Sequence, residues 1–183
     1  AGGSATNASG LKFEEQVSCE PVLLEIGFSR TDFDKKCKSG YSLSKKIGST
    51  EYIFLKKEGF KKFIKTRFNK KVLRSPDAAF VTIEDGGLVR VFIIEKKNQK
   101  RDGSVEIKLW AAPALLFEYK YCLGADIDVN YALCLSSWFR IRSEKREEYR
   151  ILREKLIQEK IPFLFGESES YIKDLFTWVG IAK

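Results

Sequence analysis

The sequence predicts an α/β fold in which helices flank a small mixed β-sheet within a single domain. Three observations carry that expectation. Segments of helical and of strand periodicity follow one another along the chain. Two runs rich in Val, Ile and Phe are joined by Asp85-Gly86-Gly87, a plausible three-residue hairpin turn. Finally, 183 residues of which 44% are hydrophobic and 32% charged have the length and balance of one globular domain, 1–183.

Each element follows from its local pattern. Residues 11–26 (LKFEEQVSCEPVLLEI) read as a helix that Pro21 kinks or divides and that ends near Gly27, with Phe13, Val17 and Leu24 on one stripe. Residues 51–55 (EYIFL) read as a short strand. From 56 to 74, Phe60, Phe63, Ile64 and Phe68 recur at helical spacing among cations, which predicts an amphipathic helix with one buried and one basic face. Ser75-Pro76 breaks the chain, and strands at 78–84 and 88–97 form the hairpin. A polar loop at 98–104 precedes a helix from about Pro113 to Cys122, capped by Gly124. A strand at 131–139, a charged amphipathic helix at 142–160, a short strand from Pro162 to Phe165 and a last helix at 169–179 complete the order.

Composition excludes several chemistries. There is no histidine, which removes Ser-His-Asp and Cys-His nucleophiles, His-ligated zinc and imidazole as a general base. Cys19, Cys37, Cys122 and Cys134 include no Cys-x-x-Cys pair and read as reduced, structural thiols. The aromatic residues Trp110, Trp138 and Trp178 read as core packing. No apolar run approaches the ~18 residues that span a bilayer, and the N-terminus lacks a signal pattern, so the expectation is a cytoplasmic protein with no membrane partner. Asp126-Ile127-Asp128-Val129-Asn130 resembles the opening of a calcium loop but fails at Tyr131, where the turn needs Gly, and at Ser137, where a bidentate Glu belongs.

The net charge of +8 is concentrated. Residues 56–74 hold Lys56, Lys57, Lys61, Lys62, Lys65, Arg67, Lys70, Lys71 and Arg74 against one Glu, so this segment alone carries +8 and the rest sums to zero. A patch of this kind neutralises phosphates, and these nine residues are the candidate DNA-binding set. A merely solvated face or a helix on an anionic membrane would give a similar pattern.

The hairpin register points to chemistry. With Asp85–Gly87 as the loop, Glu84 faces Leu88, and counting back pairs Ile83 with Val89, Val81 with Val91, Ala79 with Ile93 and Asp77 with Glu95. One face is then an apolar strip ending in two carboxylates, with Lys97 projecting beside them. Such a pair costs several kcal/mol in desolvation and repulsion unless a cation relieves it. Mg²⁺ suits one or two carboxylates completed by water and phosphate oxygens, and it generates a hydroxide-like nucleophile. Lys97 would orient that water or stabilise charge on the phosphate. Of four [DE]-x-K triplets, at 34–36, 95–97, 106–108 and 118–120, only the second ends an apolar strand. The plain alternative is a hairpin whose polar end reaches solvent, with Asp77 capping a turn and Glu95 in a surface ion pair.

Ser75-Pro76-Asp77 followed by Phe92-Ile93-Ile94-Glu95-Lys96-Lys97-Asn98-Gln99 resembles the signature of the PD-(D/E)xK nuclease superfamily. GGSATNASGLKFEE near the N-terminus and GSVEIKL at 103–109 resemble segments that flank this signature in type II restriction endonucleases, and the likeness covers roughly residues 1 to 140. The resemblance implies a restriction-endonuclease-like core and a Mg²⁺-dependent endodeoxyribonuclease, with Mn²⁺ able to substitute. It also implies double-stranded DNA as substrate, Asp77 and Glu95 as metal ligands, and Lys97 beside the attacking water. Members often add a first-helix glutamate; Glu14 and Glu15 compete, and helical geometry puts Glu14 at the border of the buried stripe and Glu15 away from it, so Glu14 is preferred. Gln99 either touches DNA or the site, or is an exposed loop residue. The short chain fits a homodimer with one site per strand of a palindrome. A repair or junction nuclease of the same fold, and a non-catalytic nucleic-acid-binding module, are the alternatives.

Overall fold

The computed structural model describes residues 3–99 and 105–181. Most of the expected polar loop, from 100 to 104, lies outside the described residues. The elements are α1 (Gly3–Gln16), α2 (Glu20–Glu25), β1 (Ser29–Asp32), β2 (Tyr41–Ile47), β3 (Thr50–Leu55), α3 (Lys57–Phe68), β4 (Ala78–Glu84), β5 (Val89–Lys97), α4 (Val105–Trp110), α5 (Ala112–Leu123), β6 (Ile127–Leu135), α6 (Ser137–Lys145), α7 (Glu147–Gln158), β7 (Phe163–Phe165) and α8 (Tyr171–Val179). The fold is α/β. Its strands lie in chain order in one seven-stranded mixed sheet, antiparallel from β1 to β5 and parallel between β6 and β7. The sheet is larger than expected, because β1 and β2 carry little periodic signal: all four residues of β1 are exposed, and Ser and Lys separate the apolar residues of β2.

The chain divides into two compact units. One comprises Cys19–Ile94 and Ala114–Asn130. Here the antiparallel meander buries Leu43, Ile53, Phe54, Phe80, Val81 and Ile93, with the rings of Phe54 and Phe80 5.0 Å apart. Both faces of β4 are buried, since Ala78, Phe80 and Thr82 are as enclosed as Ala79 and Val81; the apolar strip expected on one face therefore has a counterpart on the other. The basic segment forms α3 as expected and ends at Asn69 in the left-handed conformation (φ 55°). Phe60 and Ile64 are fully buried, and Phe60 meets Tyr119 of α5 edge-on at 6.5 Å. In α2, Leu23 rather than Leu24 is buried, and Leu24 is 51% exposed. The chain breaks after Gln16 and Pro21 opens a new helix, so the helical phase restarts and Leu24 leaves the stripe of Phe13 and Val17.

The other unit comprises Ala1–Ser18, Glu95–Pro113 and Tyr131–Lys183. Leu133, Cys134 and Leu135 of β6 are buried, as are Tyr149, Leu152 and Leu156 of α7 and Tyr171, Leu175, Phe176 and Val179 of α8. Trp138, Phe139 and Tyr149 join α6 to α7 through edge-to-face rings 5.0 to 6.3 Å apart. Three expectations are corrected here. The strand expected at 131–139 is β6, which ends at Leu135, and Ser137-Trp138-Phe139 open α6 instead. The single helix expected at 142–160 is α6 and α7, separated by an extended Arg146 (φ −122°, ψ 134°). Trp110, expected in the core, is 43% exposed. All four cysteines are free thiols. No helix among the described residues is long and apolar enough to cross a membrane.

Candidate functional site

The hairpin has the register its sequence implies. Ile83 pairs with Val89, Val81 with Val91, Ala79 with Ile93 and Ala78 with Ile94. Gly87 takes φ 83°, which its missing Cβ permits, and its N–H closes the turn onto the Glu84 carbonyl at 2.8 Å. The ladder ends at Ala78 and Ile94, so Asp77 stands one residue before β4 and Glu95 one residue beyond the last pair on β5. Asp77 is half-buried. Its approach to β4 is anchored on both sides of Pro76: the Lys57 N–H donates to the Pro76 carbonyl at 3.0 Å, and the Ser75 hydroxyl donates to the Glu58 carboxylate. Lys57 makes its bond from a left-handed conformation (φ 47°), which costs a non-glycine residue about 1–2 kcal/mol. Nothing in the sequence announces this, because Lys has no preference for that conformation.

At the end of β5, Glu95 and Lys97 project from the same face and form an ion pair whose side chains are 22% and 25% exposed. Ser136, which the sequence pattern assigns to a strand, fixes the backbone here. Its N–H donates to the Lys97 carbonyl at 3.2 Å, its hydroxyl donates to the Gln99 carbonyl at 3.0 Å, and the Gln99 N–H donates back to it at 3.2 Å. Gln99 is thereby buried, at 7% exposure, and is not an exposed loop residue. Lys96 alternates to the other face and donates to the backbone carbonyl of Glu14 at 3.2 Å. Glu14 is half-buried beside Phe13 and Glu15 is exposed, as the helical geometry of α1 requires. The structure thus brings Glu14 to the end of β5 through its carbonyl, on the Lys96 side of the strand.

Asp77 belongs to the first unit and Glu95 to the second, and each is a carboxylate, the donor type of which Mg²⁺ characteristically takes one or two while keeping its waters. Among the described residues no group of three or more Asp, Glu or Cys side chains is placed to hold a metal ion.

The basic segment is less naked than its sequence. Lys56 pairs with Glu20, Lys61 with Glu58 at 3.5 Å, Lys62 with Asp34, Lys70 with Asp126, and Arg74 with Glu118 at 3.0 Å. Four of these acids come from outside the segment and bring its net charge from +8 to +4. Lys56 is half-buried in a cluster with Glu20 and Tyr41, whose hydroxyl donates to Glu20 at 2.5 Å. Burial pulls the Lys56 ammonium down, but its bonds to Glu20 and Tyr41 outweigh burial and leave it above its ordinary value. Burial and the bond to Glu20 push the Tyr41 phenol up. Hydrogen bonds from Lys62 to Asp34, from Ser75 to Glu58 and from Lys70 to Asp126 hold those three carboxyls below the usual range. Comparison with known proteins finds no match among family models, curated proteins or solved structures.

Proposed function

We propose that this chain is a Mg²⁺-dependent endodeoxyribonuclease that hydrolyses phosphodiester bonds of double-stranded DNA in the manner of a type II restriction endonuclease. The observation that supports it is the hairpin register, whose last pair, Ala78 with Ile94, directly follows Asp77 on one side and precedes Glu95 on the other, together with the ion pair of Glu95 and Lys97. Asp77 and Glu95 would hold the metal, and Mn²⁺ would serve in its place. When bound, the metal polarises the phosphate and lowers the pKa of a water. Lys97 would face the negative charge that grows on the phosphate during in-line attack. Ser136 and Gln99 keep the end of β5 rigid, which preserves the spacing between Glu95 and Lys97. The net positive charge left on the basic segment favours association with the phosphate backbone through counterion release. A homodimer would present one such site to each strand. A nuclease that reads DNA structure instead of sequence is the second reading, favoured by the neutralisation of half the basic segment's charge.

The test is incubation of unmodified plasmid and phage DNA with Mg²⁺, Mn²⁺ or EDTA, beside Asp77→Ala and Lys97→Ala. The expected result is discrete metal-dependent fragments, with the rate falling about 10²-fold or more in each variant while its circular dichroism is unchanged. Cleavage only of branched or mismatched duplexes would select the second reading. DNA left intact in both metals, on linear and branched substrates alike, would overturn both.

A further inference from the structure

Three cations of the basic segment escape neutralisation in a localised way. Lys65 donates to the neutral amide of Asn69 at 2.8 Å, and Arg67 and Lys71 have no acid partner among the described residues. All three line clefts that adjoin one another. The first, of about 670 Å³, is bordered by Phe33, Lys65, Thr66, Lys71 and Leu73; the second, of about 530 Å³, by Thr31, Phe33, Ser42, Thr66 and Arg67. Phe33 and Thr66 belong to both walls, and the Phe33 ring is 42% exposed. The acids on the first wall are engaged, Asp34 with Lys62 and Glu58 with Lys61 and Ser75, so they leave the uncompensated cations to set the sign of the cleft.

We infer that the two clefts form one track for an unpaired strand of DNA, with Phe33 as the platform on which a base stacks and Lys65, Arg67 and Lys71 on the phosphates to either side. An unpaired strand presents base faces and backbone together, and an exposed aromatic ring among cations is what binds both. A duplex hides its base faces within its own stack, and clefts of this size match small-ligand pockets instead of a double helix. A single nucleotide would fill one cleft, whereas the shared Phe33 and Thr66 wall and the cations on both sides of it make a continuous path. Glu58 on the wall of the first cleft accepts a hydrogen bond from the hydroxyl of Ser75, two residues before Asp77 in the same unit. The assignment rests on the proposed nuclease only in taking DNA as the ligand.

Fluorescence anisotropy in EDTA with a labelled oligothymidylate of about 12 nucleotides, within the usual site size of single-strand binders, tests the track. Phe33 is exposed and its replacement leaves the core untouched. Phe33→Ala should weaken oligothymidylate binding about tenfold or more and leave duplex binding unchanged, whereas Phe33→Tyr should retain affinity. Lys65→Ala, Arg67→Ala and Lys71→Ala should each reduce the slope of log affinity against log salt by about 0.7. Equal oligothymidylate binding by Phe33→Ala and the parent would overturn the track, and so would thymidine monophosphate competing as well as the oligomer. The two proposals fail separately. Phe33-dependent strand binding with no metal-dependent product would sink the nuclease and keep the track, while Asp77-dependent cleavage with Phe33→Ala binding normally would do the reverse.

Discussion

At Gly59 a missing side chain positions the basic helix. A Cβ built there would lie 1.8 Å from the Ser39 carbonyl oxygen, and the Gly59 N–H donates to the Ser39 hydroxyl at 3.1 Å. Gly59→Ala must push α3 off the 37–40 turn at a cost of about 1–3 kcal/mol. A thermal melt should show a midpoint lower by several degrees, and an unchanged midpoint would show that the turn yields freely. The sequence hides this approach, since Gly inside a helical pattern reads only as a weak spot. The strand pairing of the hairpin is legible for the opposite reason: strand alternation and a short turn fix the register by counting, and the ladder from Ile83–Val89 to Ala78–Ile94 follows that count. Lys57 and Ser136 are illegible because they act through the backbone, one from a left-handed conformation and the other as a clamp.

Among the elements, the misplaced boundaries cluster between β6 and α7. The Ser136-Ser137 pair extends an apolar run and looks like strand, yet Ser136 takes the extended conformation of an N-cap (φ −71°, ψ 162°) while Glu167 accepts the Ser137 N–H at 2.8 Å. The break at Arg146 did leave a mark: Arg142 and Lys145 close α6 and Glu147 and Glu148 open α7, each sign suited to the dipole at its helix end. Read only as alternating charge, the same residues seem to belong to one long solvated helix. The Ser136 clamp joins the end of β5 to the start of α6. Ser136→Ala would leave the Gln99 N–H and carbonyl without that partner, a loss of about 1–3 kcal/mol. Native-state hydrogen exchange should then speed at the Gln99 amide and stay slow at Val81 and Val91, deep in the meander. Unchanged protection at Gln99 would mean that another group holds the loop.

For the whole molecule, ion pairs set how stability responds to pH. The Tyr41 phenol and Lys56 ammonium titrate above their ordinary values of 10.0 and 10.5, so the folded state keeps protons that the unfolded chain releases. Their contribution is fully present below those ordinary values and is lost as pH rises through the higher folded ones. Asp34, Glu58 and Asp126 titrate below their ordinary values of 3.8, 4.5 and 3.8, and their contribution is lost as pH falls through the lower folded ones. These three pairs are exposed, so salt should flatten the acid limb more than the alkaline one. Urea midpoints should be level between about pH 5 and 9 and fall on both sides, with Tyr41→Phe softening the alkaline limb. A midpoint that keeps climbing above pH 10 would contradict the assignment.

The strands at the two rims of the sheet are its shortest, four residues in β1 and three in β7, while those between run from six to nine. An open strand offers unsatisfied N–H and C=O groups to any other chain, and length and flatness make it a template for aggregation. β1 is brief and carries Arg30 and Asp32 paired at 2.9 Å, with the guanidinium folded 3.8 Å over the Tyr41 ring. A nascent or crowded chain therefore finds little at either rim to extend. The same residues that make β1 hard to read in the sequence protect the sheet against growing from one molecule into the next.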